Sequence, residues 1–286
     1  MTRPFYLHDE AINNFIEAAL AEDVGEGDHS SLAAIPATQI SKAKLLIKAE
    51  GIIAGLELAE KIFRFFDPKL GVVFNKKDGD PIKAGEVAFT VEGSARSILT
   101  TERLVLNCMQ RMSGIATYTH RLCKLIEGTS ARLMDTRKTT PNFRLPEKWA
   151  VLIGGGLNHR FALYDMVMLK DNHIDFAGGI TKAIDKAKQY LKDTDRDLKI
   201  IVEARDLDEI RTILESDGVH RILIDNFNYE DTRTAVKLIG DKCLTESSGG
   251  INEETIRDYA LCGVDYISSG ALTHSVYNMD LSLKAV

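Results

Sequence analysis

Six short apolar runs in the second half of the chain each end on a polar residue: ARLMD at Asp135, MVMLK at Lys170, KIIVE at Glu203, RILID at Asp225, CLTE at Glu246 and YISS at Ser269. The intervals between these end residues are 35, 33, 22, 21 and 23. Helical patterns fill the gaps: ITKAIDKAKQYL, LDEIRTILES, YEDTRTAVKLI and EETIRDYAL. Strand, helix, strand at a period of just over 20 residues is the spacing of βα units around a parallel sheet. Such a sheet closes into a barrel or stays open and doubly wound. An open sheet gathers its site at one switch point and usually carries a Gly-rich fingerprint after its first strand. No G-x-G-x-x-G occurs here. A barrel spreads functional residues over the C-terminal ends of many strands, and six successive runs end in Asp, Lys, Glu or Ser. The expectation is an α/β barrel.

The first part of the chain reads differently. Residues 9–22 (DEAINNFIEAALAE) have helical spacing with acids early in the run, and EDVGEGDHSS follows as a Gly-rich turn region. AKLLIKA, GVVF and EVAFTV read as strands, LELAEKIFRFF as a helix and DGDPIKAGE as a turn-rich connector, a mixed α+β arrangement. From Ser97 to Glu127 the pattern is helical, with little to break it except Gly114. The main boundary falls near Ser113. That gives an N-terminal domain over 1–112, a barrel over 113–275 and a tail over 276–286.

The bulk properties narrow the class. A chain of 286 residues with 44% hydrophobic and 27% charged residues suits a soluble globular protein. A net charge of -6 argues against a general nucleic-acid binder. MTRPFYLHDEAINNF lacks the long apolar run of a signal peptide, and no stretch approaches the roughly 18 apolar residues of a membrane span. Cys108, Cys123, Cys243 and Cys262 sit far apart without a C-x-x-C, which reads as free thiols in a reducing cytosol rather than a zinc site.

The chemistry concentrates between Arg132 and His173. That window holds seven Lys/Arg against four Asp/Glu, plus His159 and His173, so it is +3 while the rest of the chain carries -9. A basic island in an acidic chain suits a small anionic substrate better than a long polyanion. A charge cluster alone is usually a solvated face, but these cations fall at run ends and in Gly-rich loops. Arg137 and Lys138 follow one run, His159 and Arg160 follow Gly154–Gly156, and Lys170 ends the next. Arg137 and Arg160 can each hold a carboxylate through two parallel hydrogen bonds, while Lys138 and Lys170 offer compact charges for phosphate or a second carboxylate. The Gly triplet is either a flexible turn or a place where backbone approaches a ligand. It is not a P-loop, because no Gly-Lys-Ser/Thr follows.

Downstream, Glu203 and Asp225 end neighbouring runs and can share one barrel face. Such acids either cap the following helices or support Mg²⁺, which typically takes one or two carboxylates together with substrate phosphates. ESSGGIN (246–252) and SSGALTHS (268–275) place Ser and Gly just after late strands, either as ordinary turns or as phosphate sites. Residue types and spacing thus lead as far as a barrel enzyme acting on small, phosphorylated anions.

Longer segments carry a resemblance. TERLVLNCMQRMSGIAT (101–117), DTRKTTPNFRLPEKWAV (135–151), GGGLNHR (154–160), LKDNHI (169–174), VEA (202–204), LIDNF (223–227), ESSGGI (246–251) and GVDYISSGALTHS (263–275) resemble the quinolinate phosphoribosyltransferase family. EDVGEGD (22–28) and EGIIAG (50–55) extend the likeness over nearly the whole chain. The resemblance implies an N-terminal α/β sandwich, an incomplete seven-stranded α/β barrel and a C-terminal tail that returns toward the first domain. It implies a cytoplasmic homodimer, sometimes assembled further to a hexamer, with active sites shared between subunits. Arg103 matches the residue lent across that interface. Arg137, His159, Arg160 and Lys170 match the quinolinate cradle. Lys138, Glu203 and Asp225 match positions serving the ribose and pyrophosphate with Mg²⁺. The loops Ser248–Gly249–Gly250 and Ser269–Gly270 match the phosphate-binding turns. No organic cofactor, nucleic acid or membrane is implied. Three departures stand out: Asn142 where Gly is usual, Pro146 where an aliphatic residue is usual, and His29–Ser30 where Ile-Thr is frequent. A related protein of molybdenum transport loci shares the DTRKT and GGG segments but typically lacks the intact NHR and KDNH pattern found here. Two rival functions are a Schiff-base aldolase using Lys170 and a catalytically silent binding protein.

Overall fold

A computed structural model describes residues 3–286. The first half of the chain runs α1 (Asp9–Val24), α2 (His29–Ala34), β1 (Ile40–Ile47), β2 (Gly51–Ile52), α3 (Leu56–Phe66), β3 (Gly71–Phe74), β4 (Pro81–Ile82), β5 (Val87–Ser94) and α4 (Ala95–Leu125). The middle runs β6 (Arg132–Met134), α5 (Arg144–Ile153), β7 (Val167–Leu169), α6 (Asp171–Ala177), α7 (Ile180–Asp193) and β8 (Ile200–Ala204). The last part runs α8 (Leu207–Leu214), β9 (Val219–Asp225), α9 (Tyr229–Ile239), β10 (Leu244–Ser248), α10 (Ile256–Ala260), β11 (Tyr266–Ser268), α11 (Ala271–His274) and β12 (Leu281–Ala285). Contacts group these elements into two compact units. One comprises the described residues up to His120 with 139–155 and 272–286, and the other 121–138 with 156–271.

In the first unit an antiparallel sheet has the order β12-β1-β5-β3. Strand β1 alternates, with Ala43, Leu45 and Ile47 buried while Lys42 and Lys44 turn outward, as period-two geometry requires. Helix α3 buries Leu56, Leu58, Ala59, Ile62 and Phe63, and Phe63 meets Phe89 of β5 edge to face at 5.8 Å. The final strand β12 pairs with β1, placing Leu281 and Leu283 opposite Ile47 and Leu45. The segment before it rests on α4: Met279 N–H donates to Gln110 O at 2.9 Å, and a Cβ on Gly114 would fall 2.2 Å from Tyr277 O.

Asn142, Pro146 and His29–Ser30 sit in ordinary local settings in this unit. Asn142 has φ 60, a left-handed conformation that Asn tolerates better than other side chains. Pro146 lies in the first turn of α5, where its missing N–H leaves no intrahelical bond unmade. His29 and Ser30 open α2, whose cap is Asp28: its Oδ1 accepts Ser31 N–H at 3.0 Å and its Oδ2 accepts from Thr100 at 3.1 Å.

A buried ion pair joins α4 to α5. Glu147 is fully buried and accepts from Arg111 Nε at 3.0 Å and Nη2 at 2.9 Å. It also accepts Thr140 N–H at 2.9 Å and the Thr140 hydroxyl at 3.0 Å. Arg111 in turn donates to Val276 O at 3.0 Å and to Thr273 O. One ion pair therefore ties α4 and α5 to α11 and to the segments at Thr140 and Val276.

The second unit is an α/β barrel fragment. Its parallel sheet has the order β6-β11-β10-β9-β8-β7, so the first strand of the unit lies beside the last. That pairing bends the sheet into a barrel wall, as expected. Six strands are regular. The expected seventh shrinks to one parallel bridge, Met134 with Leu157, held by Leu157 N–H to Leu133 O at 2.8 Å and Asp135 N–H to Leu157 O at 3.1 Å. The wall pairs no further between Leu157 and β7, which makes the barrel incomplete. Strand β8 is buried throughout and reads as the continuous apolar run of a covered parallel sheet, interrupted only by Glu203. Helices α8 and α9 bury Ile210 and Ile213, and Thr232, Ala235 and Ile239.

Among the described residues no helix is long and apolar enough to cross a membrane. None of the four cysteines is disulfide-bonded, and burial pushes the Cys108 thiol up to about 12 and the Cys123 thiol up to about 11. Neither suits a thiolate nucleophile.

Replacing Glu147 with Ala is expected to strand Arg111 without its countercharge and to destabilise the protein by about 3–5 kcal/mol. Equilibrium unfolding in urea, monitored by circular dichroism, checks this.

Candidate active site

Parallel register brings the polar strand ends to one rim. Glu203, Leu223, Glu246 and Tyr266 stand opposite one another on β8, β9, β10 and β11, and two residues farther along Asp225 stands opposite Ser248. Alternate residues of a strand share a face. Glu203, Asp225, Glu246, Ser248 and Ser268 therefore line the same side of the wall.

Capping of the helices that follow them does not account for the acids. Asp206 caps α8, accepting Asp208 N–H at 2.9 Å and Glu209 N–H at 2.8 Å, and Asn228 caps α9, accepting Asp231 N–H at 2.9 Å. Glu203 and Asp225 are left for the rim. Glu203 is buried and lies 3.1 Å from the half-exposed Lys170 ammonium; its other oxygen accepts Asp171 N–H at 3.4 Å. Lys170 sits at the start of α6, where its N–H donates to His173 Nδ1 at 3.1 Å. Burial, and then the negative charge of Glu203, raise the Asp225 carboxyl above the usual range.

A second cluster gathers around Asp135, which follows β6 and is fully buried. It accepts the Asn158 amide at 2.7 Å and His159 N–H at 2.8 Å. The His159 ring is buried. Nδ1 accepts Arg160 N–H at 2.7 Å, so the ring proton belongs on Nε2. Nε2 lies 3.4 Å from Glu246 Oε2. Glu246 also pairs with the buried Arg221 at 2.8 Å, and Arg221 stacks 4.2 Å above the Tyr266 ring. Arg160 is buried, and its Nη1 donates to Met166 O at 3.2 Å. Burial, and then the neighbouring charge of Arg137, lower the Arg160 guanidinium from its ordinary value. Two guanidiniums held close enough to repel form a natural seat for an anion.

The Ser/Gly turns are tightly built. Gly249 has φ 100, and a Cβ there would fall 2.1 Å from Asn226 Oδ1; Asn226, itself at φ 59, donates its N–H to Ser248 O at 2.9 Å. Gly250 has φ 62. Ser269 is buried, its N–H donating to Met134 O at 3.0 Å and its hydroxyl to Ile251 O at 3.3 Å, and Gly270 follows at the rim. Lys138 is exposed, with its N–H on Thr136 Oγ1 at 3.1 Å, and Arg137 beside it is half-buried. Arg103 belongs to the first unit, exposed on α4. Gly154, first of the Gly triplet, serves packing in that unit, since a Cβ there would fall 2.5 Å from Ala116 O of α4. A cavity of about 460 Å³ opens beside the rim where α8 and α9 begin, but its Arg205 is committed to Glu209 at 2.6 Å and Asp175 at 3.2 Å.

Sequence reasoning assigns no role to Arg221, Glu246 or Asp135. The available signal is parity: Arg221 and Asp225 share a strand face, as do Glu246 and Ser248. A charged residue on the inward face of an otherwise apolar strand needs a partner inside.

Two family models match. The one described as quinolinate phosphoribosyl transferase, C-terminal domain, covers residues 115–284, and the N-terminal domain of the same description covers residues 28–113. The decarboxylating quinolinate phosphoribosyltransferase 1b of Nicotiana tabacum is 44% identical, over 96% of this chain and 82% of that protein. The probable carboxylating nicotinate-nucleotide pyrophosphorylase of Bacillus subtilis is 40% identical, over 92% of this chain and 89% of that one. Among solved structures, NadC from Streptococcus pyogenes superposes with TM-score 0.91 at 37% identity over 100% of both chains. The nicotinate-nucleotide pyrophosphorylase of Francisella tularensis gives 0.88 at 35% identity over 98% of both.

Glu246 supplies a pH test of the rim. Burial works to raise its carboxyl, but His159 and then Arg221 outweigh burial and bring it down to about 2 from 4.5. A depressed carboxylate contributes stability above its unfolded value and loses it as pH falls through its folded value. Glu246→Gln is expected to be less stable than the parent at neutral pH, with the gap closing as pH falls from about 4.5 toward 2. Urea unfolding of both proteins across that range measures it.

Proposed function

The chain belongs to the quinolinate phosphoribosyltransferase family, and on that premise we propose how its rim residues divide the work of the reaction. The activity is decarboxylating phosphoribosyl transfer: phosphoribosyl pyrophosphate and quinolinate give nicotinate mononucleotide, pyrophosphate and carbon dioxide, in de novo NAD biosynthesis. The observation that supports the residue roles is the meeting of cations and acids at successive strand ends of one barrel wall. The Arg137 charge acts on Arg160 at one cluster, and Lys170 and Glu203 bear on Asp225 at the other.

Arg137, Arg160 and Lys170 hold the two carboxylates of quinolinate, with His159 as a wall of the cradle. Their task is to aim the ring nitrogen at the anomeric carbon, which is catalysis by positioning. Lys138 and the turns at Ser248, Gly249, Gly250, Ser269 and Gly270 hold the phosphates. As the bond from the anomeric carbon to pyrophosphate breaks, Lys138 supports the charge on the leaving oxygens, and Glu203 and Asp225 support the cationic carbon. The ring nitrogen then takes that carbon. The alkylated ring is an electron sink, so the carboxylate beside the nitrogen leaves as carbon dioxide and a proton takes its place on the ring.

Glu203 and Asp225 also suit Mg²⁺. Asp225 already feels the Glu203 charge, so a cation there relieves repulsion. Two carboxylates suit an ion that takes its remaining oxygens from substrate phosphate and water. When bound, Mg²⁺ supplies charge neutralisation on the pyrophosphate. No organic cofactor is required. The assembly proposed is a homodimer with shared sites, able to build a hexamer, in which Arg103 reaches the partner's cradle. The proposed compartment is the cytoplasm, where scattered thiols stay reduced.

Arg137→Ala and Lys170→Ala are each expected to lower kcat/KM for quinolinate by ~10²–10³ without changing the circular dichroism spectrum. The assay follows carbon dioxide release with phosphoribosyl pyrophosphate and Mg²⁺, with nicotinate as competing substrate. Unchanged turnover in both variants, or equal use of nicotinate, overturns the cradle. Mixing Arg103→Ala with Lys138→Ala under subunit exchange is expected to restore part of the activity, because some sites then regain an intact set. Absence of any rescue refutes the shared site.

A further inference from the structure

We propose that Glu246 and Arg221 form a positioning pair that acts through His159 to set the Arg160 side of the diacid cradle. The proposal rests on the cradle reading above.

Residue 159 is gripped at three points. Its N–H donates to the fully buried Asp135 at 2.8 Å, its Nδ1 accepts Arg160 N–H at 2.7 Å, and its Nε2 faces Glu246 Oε2 at 3.4 Å. With Nδ1 accepting, the ring proton sits on Nε2, the ring atom nearest the Glu246 carboxylate at 3.4 Å. The ring thus bridges the loop backbone that launches Arg160 and the interior of the barrel. Rotating or displacing it removes the acceptor from Arg160 N–H, and the Arg160 guanidinium moves with its backbone.

The pair beneath the ring calls for an explanation beyond stability. A fully buried carboxylate and a buried guanidinium each carry a large desolvation penalty, and well-packed apolar residues usually serve stability as well. Arg221 meets Glu246 at 2.8 Å and covers the Tyr266 ring at 4.2 Å, while its buried Nε has no hydrogen-bond partner, so the pair is held in place at a cost in polar satisfaction. The Glu246 carboxylate oxygen that Arg221 holds is the one His159 faces. The ion pair therefore fixes the position of a negative atom under the ring. Glu246 sits in a regular parallel strand, locked in register between Leu223 and Tyr266, so that atom is carried by the barrel wall and not by a loop. Placing the anchor on a strand gives the loop above it a rigid reference.

The test has three arms. Nitrogen-15 NMR of the parent protein, with the His159 signals assigned by their loss in His159→Ala, is expected to show protonated Nε2 and unprotonated Nδ1. A protonated Nδ1 overturns the proposal whether or not any variant folds. The double variant Arg221→Gln/Glu246→Gln leaves no lone charge buried, and Glu246→Asp keeps the charge while drawing it away from the ring. Both are expected to raise the KM for quinolinate about tenfold, with KM for phosphoribosyl pyrophosphate within about twofold of the parent. Combined with His159→Ala, the double variant is expected to add nothing to the KM of His159→Ala alone, because both changes interrupt one chain of contacts. Parent-like KM values, or effects that add, overturn the positioning role. Failure of the parent protein to turn over quinolinate overturns the cradle reading and this proposal with it, so the two failures are distinguishable.

Discussion

A carboxylate with no solvent exposure stands inside the barrel wall, and the upper wall is arranged around it. Glu246 needs compensation, and the structure provides it from two directions, Arg221 from the neighbouring strand and His159 from the loop above. His159 in turn holds the first residue of the Arg160 segment, and Asp135 holds His159. Loops usually move more than the strands that carry them. Here the loop bearing the cations is tied to strand residues whose positions the parallel register already determines.

The rim separates charge in a way that matches its chemistry. On one side burial and then the Arg137 charge disfavour the charge on Arg160, and on the other burial and then the Glu203 charge disfavour the charge on Asp225. Lys170 sits between these tendencies, its ammonium on Glu203 while half-exposed. Like charges held together by a rigid wall are destabilising when empty and strongly attractive to a complementary ligand. The cationic side is complementary to anions and the acidic side to cations.

Much of this was legible in the sequence because the barrel repeats one local rule. Short apolar runs ending in Lys170, Glu203, Asp225 and Glu246 coincide with β7 to β10, and the helix over Leu56–Phe66 falls where its pattern places it. Elements defined by tertiary contacts were not legible. Leu157 replaces a whole strand with one bridge, and a single bridge has no periodicity to detect. Helix α5 hid inside a segment rich in charge and proline because its buried members include Glu147 and Lys148, which mimic a surface pattern. The roles of Glu203 and Asp206 could not be told apart by composition: both are acids near a strand end, and only geometry shows that Asp206 caps the helix. Asn142 takes a left-handed backbone angle, which Asn tolerates better than other side chains, and no periodicity marks such a position.

The pairing of Ala43 with Ala285 sets the order in which this chain can mature. A ribosome delivers the strands of the barrel before the strand that borders β1, so the nascent first unit keeps an unpaired sheet edge while the second is already complete. Until Leu281 and Leu283 emerge, Leu45 and Ile47 lack their neighbours, and that edge is open to other nascent chains. The antiparallel sheet therefore gains its β12 edge only after the strands of the barrel have been translated.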